Sequence, residues 1–393
     1  GLGHDWGDLA LCEVSQRLTR HTPALAQAAA KLSLVCRWGG DEFVVCLAVD
    51  ALHADAAWPA ANTLHAQLTA PCVIQGRALR LGASVGVDLQ DLHPELSLLG
   101  AIGRADLAAS EAKRQGRGQV MAYRPELADQ RQRKLALSAA LNAAHHDGSL
   151  HLLFQPIVSA HDGAAVAFEA LLRWRPAGFG PVPPDEFIPL AEESEHILAI
   201  GDWVLRQACA AAARWPGGAH GGPPKVAVNI SIRQLVRADF SARVSAVLAD
   251  CQLPPAQLIV EVTETVFDDA NLHQVRNSLR ALYALGVEIH LDDFGAGYSS
   301  LSRLSQLPLH AIKIDKSFVM SEDARAAAII EGAVLIARRF GLRVIAEGIE
   351  SAELADVLAE LGVDELQGYF FGRPDSAPAL QAHHWPTRRA HAA

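Results

Sequence analysis

The chain is poor in methionine, tyrosine and cysteine, and its few cysteines follow no metal or disulfide spacing. Among 393 residues there are 2 methionines, 4 tyrosines and 6 cysteines. No two cysteines form a CxxC pair, which excludes the common zinc and thioredoxin-like motifs. We therefore expect reduced thiols in or near the core of a cytoplasmic protein, at Cys12, Cys36, Cys46, Cys72, Cys209 and Cys251.

The sequence also lacks an uninterrupted apolar segment of about 18 residues and a basic-then-apolar leader, so we expect no membrane segment within it. Its net charge of −10 argues against a protein that binds bulk nucleic acid. The negative net charge still allows a small nucleotide as substrate, because local cations or metals suffice to bind it. The first residues, GLGHDWGD, resemble the middle of a domain. We expect an N-terminally truncated chain, whose full-length form has room upstream for a membrane anchor.

What the second half does contain is a series of acidic and amide residues, each in or just after a short apolar run. Most intervals match one strand-plus-helix unit. Because a parallel α/β barrel gathers the carboxyl ends of its strands at one mouth, we expect these side chains to converge there. They are Glu169, Asn229, Glu261, Asp292, Asp293, Lys313, Glu347 and Gln367.

Several acids, an amide and a lysine at one mouth are what a divalent-metal phosphoester site requires. Any one of them has a simpler explanation, since an acid after a strand is more often a loop residue or a helix cap. Asn229, followed by Ser231, would be explained by helix capping alone. The full ordered set favours a site.

The first half alternates helices with antiparallel strands, which predicts a small α+β domain. Two β-rich runs flank Gly39, Gly40, Asp41 and Glu42, as in a hairpin. We divide the chain into a first domain (1–125), a linker helix (126–148), a barrel domain (149–380) and a frayed tail (381–393).

The second half resembles the EAL domain, the cyclic di-GMP phosphodiesterase family. The motifs FQPIV, FEALLRW, FIPLAEE, VAVNIS, IVEVTET, LDDFGAGYSSL, IKIDKSFV, VIAEGIE and LQGYFFGRP occur in order. The resemblance implies a modified (β/α)8 TIM-like barrel with one antiparallel strand. It also implies hydrolysis of cyclic di-GMP to linear pGpG with two Mg²⁺ or Mn²⁺ ions per site, and a homodimer formed through this domain.

The resemblance also implies a role for each residue. Glu169, Asn229, Glu261 and Asp292 would bind one metal and Asp293 the second, while Lys313 and Glu347, with Glu169, would act in catalysis. The residues implied to contact substrate are Gln155, Arg173 and Gln367. Glu264 would anchor the Gly-rich loop Asp292–Ser300, and the presence of both favours an active enzyme.

The motif RWGGDEF resembles the GGDEF domain of diguanylate cyclases. Two glycines let the backbone approach a triphosphate closely. The implied nucleotide-binding residues are Asp8, Gly39, Gly40, Asp41, Glu42, Lys113 and Arg117.

This half departs from the family pattern. The family's first strand, which carries a metal-binding Asp, would precede Gly1. Ala30 and Ser33 replace the Arg-x-x-Asp inhibition site, and Ala109 and Ser110 replace another common pair. We expect no cyclase turnover from these residues; GTP binding that tunes the second domain and a purely structural role both stay open. For the whole protein, the alternatives are a non-catalytic cyclic di-GMP- or GTP-binding module and a net diguanylate cyclase.

Overall fold

The chain folds into two compact units, Gly1–Leu135 and Ala136–Ala393. The computed structural model describes residues 4–49, 57–89, 97–217, 222–267, 271–295, 304–321 and 323–377. The predicted tail and residues 296–300 of the predicted Gly-rich loop lie outside the described residues. The helix that we predicted as a linker crosses the boundary between the units.

The first unit is an α+β domain, as predicted. Its hairpin pairs Gly39 with Glu42, and Gly40 makes the turn with φ +53°, a conformation that glycine adopts readily. Leu18, Leu64 and Leu68 form its buried core cluster. The elements are α1 (His4–Ala29), β1 (Ala30–Gly39), β2 (Glu42–Val49), α2 (Ala57–Thr69), β3 (Cys72–Ile74), β4 (Arg77–Leu79), β5 (Val85–Val87), α3 (Leu98–Arg114), β6 (Val120–Ala122) and α4 (Pro125–Leu141).

The second unit alternates strands and helices. Its elements are β7 (Leu150–Ser159), β8 (Ala165–Trp174), α5 (Pro184–Glu193), α6 (His196–Ala212), β9 (Lys225–Asn229), α7 (Ile232–Leu235), α8 (Phe240–Cys251), β10 (Leu258–Thr263), α9 (Leu272–Leu285), β11 (Glu288–Phe294), β12 (Ala311–Ile314), α10 (Lys316–Val319), α11 (Ala324–Phe340), β13 (Arg343–Ala346), α12 (Ala352–Glu360) and β14 (Glu365–Gln367).

The eight strands of this unit close into a barrel in the order β10–β11–β12–β13–β14–β7–β8–β9. β7 runs antiparallel to both of its neighbours, β14 and β8, and the other neighbouring pairs are parallel. The prediction of a modified (β/α)8 barrel with one antiparallel strand is confirmed.

The period of a β-strand explains why polar side chains reach the barrel interior. Successive side chains of a strand point to opposite faces, so residues two apart share a face. An apolar layer of Ile157, Ala167, Ala227, Ile259, Ala311 and Ile345 is buried inside the barrel. Glu169, Glu261 and Lys313 each follow a member of this layer by two positions. They therefore point inward, one layer nearer the carboxyl ends of the parallel strands.

A network of ion pairs lies at the opposite end of the barrel. Lys225 and Arg343 both pair with Glu288, and Arg343 also pairs with Glu365. His290, on the same face of β11 as Glu288, is completely buried, and burial lowers its pKa to about 4.

Two expectations differ from the structure. Cys12 is exposed, because it lies on the outward side of α1, whereas the other five cysteines are buried or half-buried. The helix predicted over 126–148 ends at Leu141, and a series of turns follows up to Gly148, whose φ is +76°. Within the described ranges, no helix combines the length and the apolar character that crossing a membrane requires.

Candidate active site

The predicted residues of the second half meet at the carboxyl end of the barrel. Glu169, Glu261, Asp292 and Lys313 lie within strands, and Glu347 directly follows β13. Asn229 and Gln367 are the last residues of β9 and β14. Each faces the mouth of the barrel, and all except Glu169, which lies in the middle of β8, are within two residues of a strand end. The backbone of the barrel thus brings together residues separated by up to about 200 positions in the chain.

The centre of the site is the ammonium group of Lys313, whose side chain is completely buried. Its Nζ lies 2.6 Å from Glu347 Oε1, 3.2 Å from Glu261 Oε1, 3.4 Å from Asp292 Oδ1 and 3.5 Å from Glu169 Oε2. Burial alone would lower the pKa of Lys313, but these carboxylates, Asp292 foremost, raise it well above its ordinary value. The ammonium therefore stays charged at neutral pH.

Two amides hold the carboxylate of Glu169 in place. Asn229 Nδ2 donates to Oε1 at 2.8 Å, and Gln367 Nε2 donates to Oε2 at 2.7 Å. Gln367 Nε2 also donates to Gln155 Oε1 at 3.2 Å, while Gln155 Nε2 donates to the carbonyl of Gly372. Burial raises the pKa of Glu169, but Lys313 and these hydrogen bonds outweigh burial and lower it. Glu169 is thus an oriented carboxylate.

The remaining acids carry more negative charge than one lysine can neutralise. Burial raises the pKa of Glu261 well above its ordinary value, and it raises those of Asp292 and Asp293. Burial also raises the pKa of Glu347 to about 7, although Lys313 opposes the shift. In a site of low dielectric constant, such crowding of carboxylates favours protonation or the binding of a cation.

Divalent metal ions fit this donor set. Both carboxylate oxygens of Glu261 are buried without a hydrogen-bond partner, although Lys313 Nζ is within ion-pair distance of one of them. Hard cations prefer such oxygen ligands. Among the residues that the structure describes, no three acidic, histidine or cysteine side chains surround an open position for a metal ion. The reason is that the ammonium of Lys313 lies where the carboxylates converge.

The end of β11 is irregular where the two adjacent aspartates lie. Asp293 has φ +56°, and the pairing of β11 with β12 shifts register between Leu291 and Phe294. This left-handed residue interrupts the strand alternation directly after Asp292. Next along the chain, the amide of Gly295 donates to Glu264 Oε1 at 2.9 Å. Glu264 thus contacts the start of the Gly-rich loop.

Aromatic side chains that the sequence analysis did not single out follow Gln367 after Gly368. Tyr369 is 50% exposed and Phe370 39% exposed, and the guanidinium of Arg373 lies 4.3 Å from the ring centroid of Tyr369. The signal was present in the sequence, since three aromatic residues follow the last strand almost at once. Arg173, near the end of β8, donates to the carbonyl of Leu172.

In the first unit, the structure brings together only part of the predicted nucleotide set. Lys113 Nζ lies 3.6 Å from Glu42 Oε1, and Arg37 donates two hydrogen bonds to the carbonyl of Gly40. Asp8 and Asp41 are exposed. Arg117 follows α3 with φ +61°. The hairpin turn and the end of α3 therefore face a shared region, through Glu42 and Lys113.

Comparisons with known proteins match both halves. A family model described as "EAL domain" matches residues 138–374, and one described as "Diguanylate cyclase, GGDEF domain" matches residues 1–119. An uncharacterized signaling protein of Caulobacter vibrioides is 38% identical over 383 residues, which are 96% of this chain and 45% of that protein.

Two curated relatives come from Pseudomonas aeruginosa. The bifunctional diguanylate cyclase/cyclic di-GMP phosphodiesterase MucR is 37% identical over 97% of this chain and 54% of its own length. The cyclic di-GMP phosphodiesterase NbdA is 35% identical over 97% of this chain and 47% of its own length. The chain thus spans about half the length of the curated relatives it matches.

Solved structures resemble the second half. The structure titled "PaMucR Phosphodiesterase, c-di-GMP complex" is 39% identical, with a TM-score of 0.58 over 62% of this chain and 99% of its own. The FimX EAL domain from Pseudomonas aeruginosa bound to c-di-GMP is 26% identical, with a TM-score of 0.55 over 61% of this chain and 96% of its own.

Proposed function

This chain belongs to the EAL-domain family and carries a GGDEF domain ahead of its EAL domain, and from that premise we propose that it hydrolyses cyclic di-GMP to linear pGpG. The observation that carries the proposal is the buried Lys313 ammonium among four carboxylates at the mouth of the barrel. The named activities of MucR and NbdA support it.

We assign the metal-binding roles from chemistry and position. Glu169, Asn229, Glu261 and Asp292 would hold one divalent ion, and Asp293 would contribute to a second, with Mg²⁺ or Mn²⁺ the expected ions. When bound, such ions neutralise charge on the phosphoryl oxygens and activate a water molecule. The partnerless oxygens of Glu261 support this assignment.

The protein's own groups have separate tasks in this scheme. Lys313 stays charged and can hold the attacking water or stabilise the negative charge that develops on the phosphate. Glu347, 2.6 Å from Lys313 Nζ and with a pKa of about 7, can exchange a proton near neutral pH. Glu169 is kept in one orientation by Asn229 and Gln367, so a ligand would meet a preorganised carboxylate.

We propose Arg173, Gln155 and Gln367 as the substrate-contacting residues. An arginine suits a phosphate because its planar fork donates two parallel hydrogen bonds. Since Gln155 and Gln367 are buried and hydrogen-bonded to each other, we expect them to act mainly at the floor of the site. Tyr369 and Phe370 offer exposed aromatic surface on which a guanine base can stack.

We further propose that the first domain binds GTP near Glu42 and Lys113, without converting it to cyclic di-GMP in this chain. Dialysis of the chain against GTP measures this binding.

We also propose a homodimer. Ile329 and Leu335 on α11 are apolar side chains exposed on the surface, and light scattering measures the oligomeric state.

We propose the cytoplasm as the location of the protein. All six cysteines are free thiols, which suits a reducing compartment.

The proposed function is tested by incubating the full chain with cyclic di-GMP and Mg²⁺ or Mn²⁺ and separating the products. We expect the natural chain to produce pGpG. Glu169→Ala should react roughly 100-fold more slowly, because it lacks a charged metal ligand. Glu360→Gln, an exposed charge change at the end of α12, is the control. Binding of cyclic di-GMP without turnover would instead indicate a binding module, and turnover by Glu169→Ala near the natural rate would disprove the site.

A further inference from the structure

The turn that carries Asn229 is unusually short. Asn229 is the last residue of β9, and α7 begins three residues later at Ile232. Only Ile230 and Ser231 separate the proposed metal ligand from the helix. The position of Asn229 therefore depends directly on what holds these two residues.

Ser231 is held by a hydrogen bond from outside its own segment. Its Oγ donates to Oε1 of Glu192 at 2.7 Å. Glu192 lies at the end of α5, in a different strand-and-helix repeat of the barrel. A hydroxyl has a single proton, so this bond fixes its rotation and leaves the lone pairs to accept from Arg233 N at 3.3 Å.

The other side of the turn is anchored to the neighbouring strand. The amide of Ile230 donates to the carbonyl of Glu261 at 2.9 Å, and the Ile230 side chain is buried. The turn is thus fixed on one side by the backbone of the strand that carries Glu261, and on the other by the Glu192 carboxylate.

Helix capping alone does not explain Glu192. Ser231 and Gln234 already form a complete capping box at the start of α7, without help from another helix. Glu192 also lies in the last turn of α5, where a negative charge is unfavourable because it faces the negative end of the helix dipole. A carboxylate kept at an unfavourable place, where it accepts a hydrogen bond from a ligand-bearing turn, indicates a task beyond capping.

We propose that Glu192 is a positioning residue for the metal site: through Ser231 it fixes the turn that sets the Asn229 amide against Glu169 and the metal. Asn229 Nδ2 lies 2.8 Å from Glu169 Oε1, so a displaced turn disturbs both ligands. This inference rests on the proposed function for the identity of the metal site. It extends that function to a residue that does not touch metal or substrate.

The test measures metal binding directly, apart from turnover. Mn²⁺ is titrated calorimetrically into the full chain and into Glu192→Ala, Glu192→Gln and Ser231→Ala. Glu360→Gln is the control, since it removes the charge of another carboxylate at the end of a helix, although Glu360 is exposed and Glu192 half-buried. Circular dichroism and the melting temperature of each variant establish that it is folded.

We expect Glu192→Ala and Ser231→Ala to bind Mn²⁺ about 10-fold more weakly, as partners of ligating residues generally do when lost. Glu192→Gln, which keeps an acceptor oxygen, should recover most of the affinity, and Glu360→Gln should match the natural chain. Should Glu192→Ala not fold, Ser231→Ala breaks the same hydrogen bond from the other side, but it also removes the cap of α7. Ser231→Thr, which keeps the hydroxyl for both contacts, should then bind Mn²⁺ like the natural chain, and Ser231→Ala more weakly.

The proposal would be overturned if folded Glu192→Ala or Ser231→Ala bound Mn²⁺ as tightly as the natural chain does. So would an equal loss in Glu192→Gln and Glu192→Ala, because the hydrogen bond would then not be the cause. A natural chain that binds Mn²⁺ without hydrolysing cyclic di-GMP would refute the proposed function alone, since the positioning role is judged by affinity.

Discussion

At the scale of single residues, the feature that sets the chemistry of this site is a shortage of positive charge. One ammonium contacts four carboxylates, and Asp293 lies nearby. Without a cation, the protein must keep some of these acids protonated. The free energy of unfolding of the metal-free chain should therefore depend on pH through the site.

Glu347 offers the clearest test of this dependence. Its pKa is raised from 4.5 to about 7 in the folded chain, so the fold binds its proton more tightly than the unfolded chain does. This contribution is fully present at low pH and is lost as the pH rises from about 4.5 to about 7. Glu347→Gln cannot titrate. It should therefore stabilise the metal-free chain at pH 8, relative to its effect at pH 5, by up to about 3 kcal/mol.

Urea unfolding of the natural chain and of Glu347→Gln in chelator, at pH 5 and pH 8, measures this difference. The lowered pKa values of Glu288 and His290 are common to both chains and cancel. Glu261 and Lys313, whose pKa values the Glu347 charge raises, change with Glu347 and belong to the measured difference. Glu360→Gln is the control for the loss of an exposed carboxylate at the end of a helix. A difference between Glu347→Gln and the natural chain that is the same at both pH values would refute the raised pKa.

At the scale of elements, the last strand packs against the loop after β13 with no room for a side chain. Gly368 directly follows β14, and a Cβ on it would lie 2.0 Å from the carbonyl oxygen of Ile349 and 2.3 Å from its amide nitrogen. The amide of Ile349 also donates to the carbonyl of Gln367. This close backbone contact fixes β14 and, with it, the Gln367 side chain at the floor of the site.

We therefore expect Gly368→Ala to destabilise the second unit by about 3 kcal/mol, the upper range for overpacking, because backbone and not a flexible side chain must move. Gly332→Ala is the control, since a Cβ there meets nothing within 4 Å and the residue lies inside helix α11. It should be neutral or stabilising by about 0.5–1 kcal/mol. Thermal unfolding compares the two, and equal stability of both variants would contradict the close contact.

The elements also show what the sequence could predict. Glu169, Glu261 and Lys313 were found because each lies in or just after a short apolar run, at intervals of about one strand-plus-helix unit. The left-handed Asp293 and the Gln155–Gln367 hydrogen bond were not predictable, because register shifts and contacts between distant strands depend on barrel closure. Cys12 was misplaced since helical spacing alone did not show which side of α1 faces a core.

At the scale of the whole molecule, two units with separate cores should unfold in separate steps. Among the residues that the structure describes, side chains of the second unit form its buried clusters, and Leu18, Leu64 and Leu68 form that of the first. The proposed metal ligands all lie in the second unit. A metal that binds only the folded site stabilises that unit and leaves the other unchanged.

Calorimetry of the chain should show two unfolding transitions, and Mn²⁺ should raise the midpoint temperature of only one of them. At a metal concentration of about 100 times the dissociation constant, the stabilisation is about 2.7 kcal/mol. For a unit of this size, that corresponds to a shift of roughly 5–10 °C. Glu169→Ala should lose the shift. Equal movement of both transitions, or of neither, would contradict a metal site confined to the barrel.

The antiparallel direction of β7 determines the end at which the chain enters the barrel. In an all-parallel barrel, the first strand starts at the end remote from the chemistry. Here Leu150 at the start of β7 pairs with Trp174 at the end of β8, so the polypeptide enters the barrel at the rim of the reactive mouth. Residues 142–149, which connect α4 to β7, therefore reach the barrel at the end that carries the proposed active site. A change in the length or conformation of this connecting segment therefore acts first on the end of the barrel that carries the proposed active site.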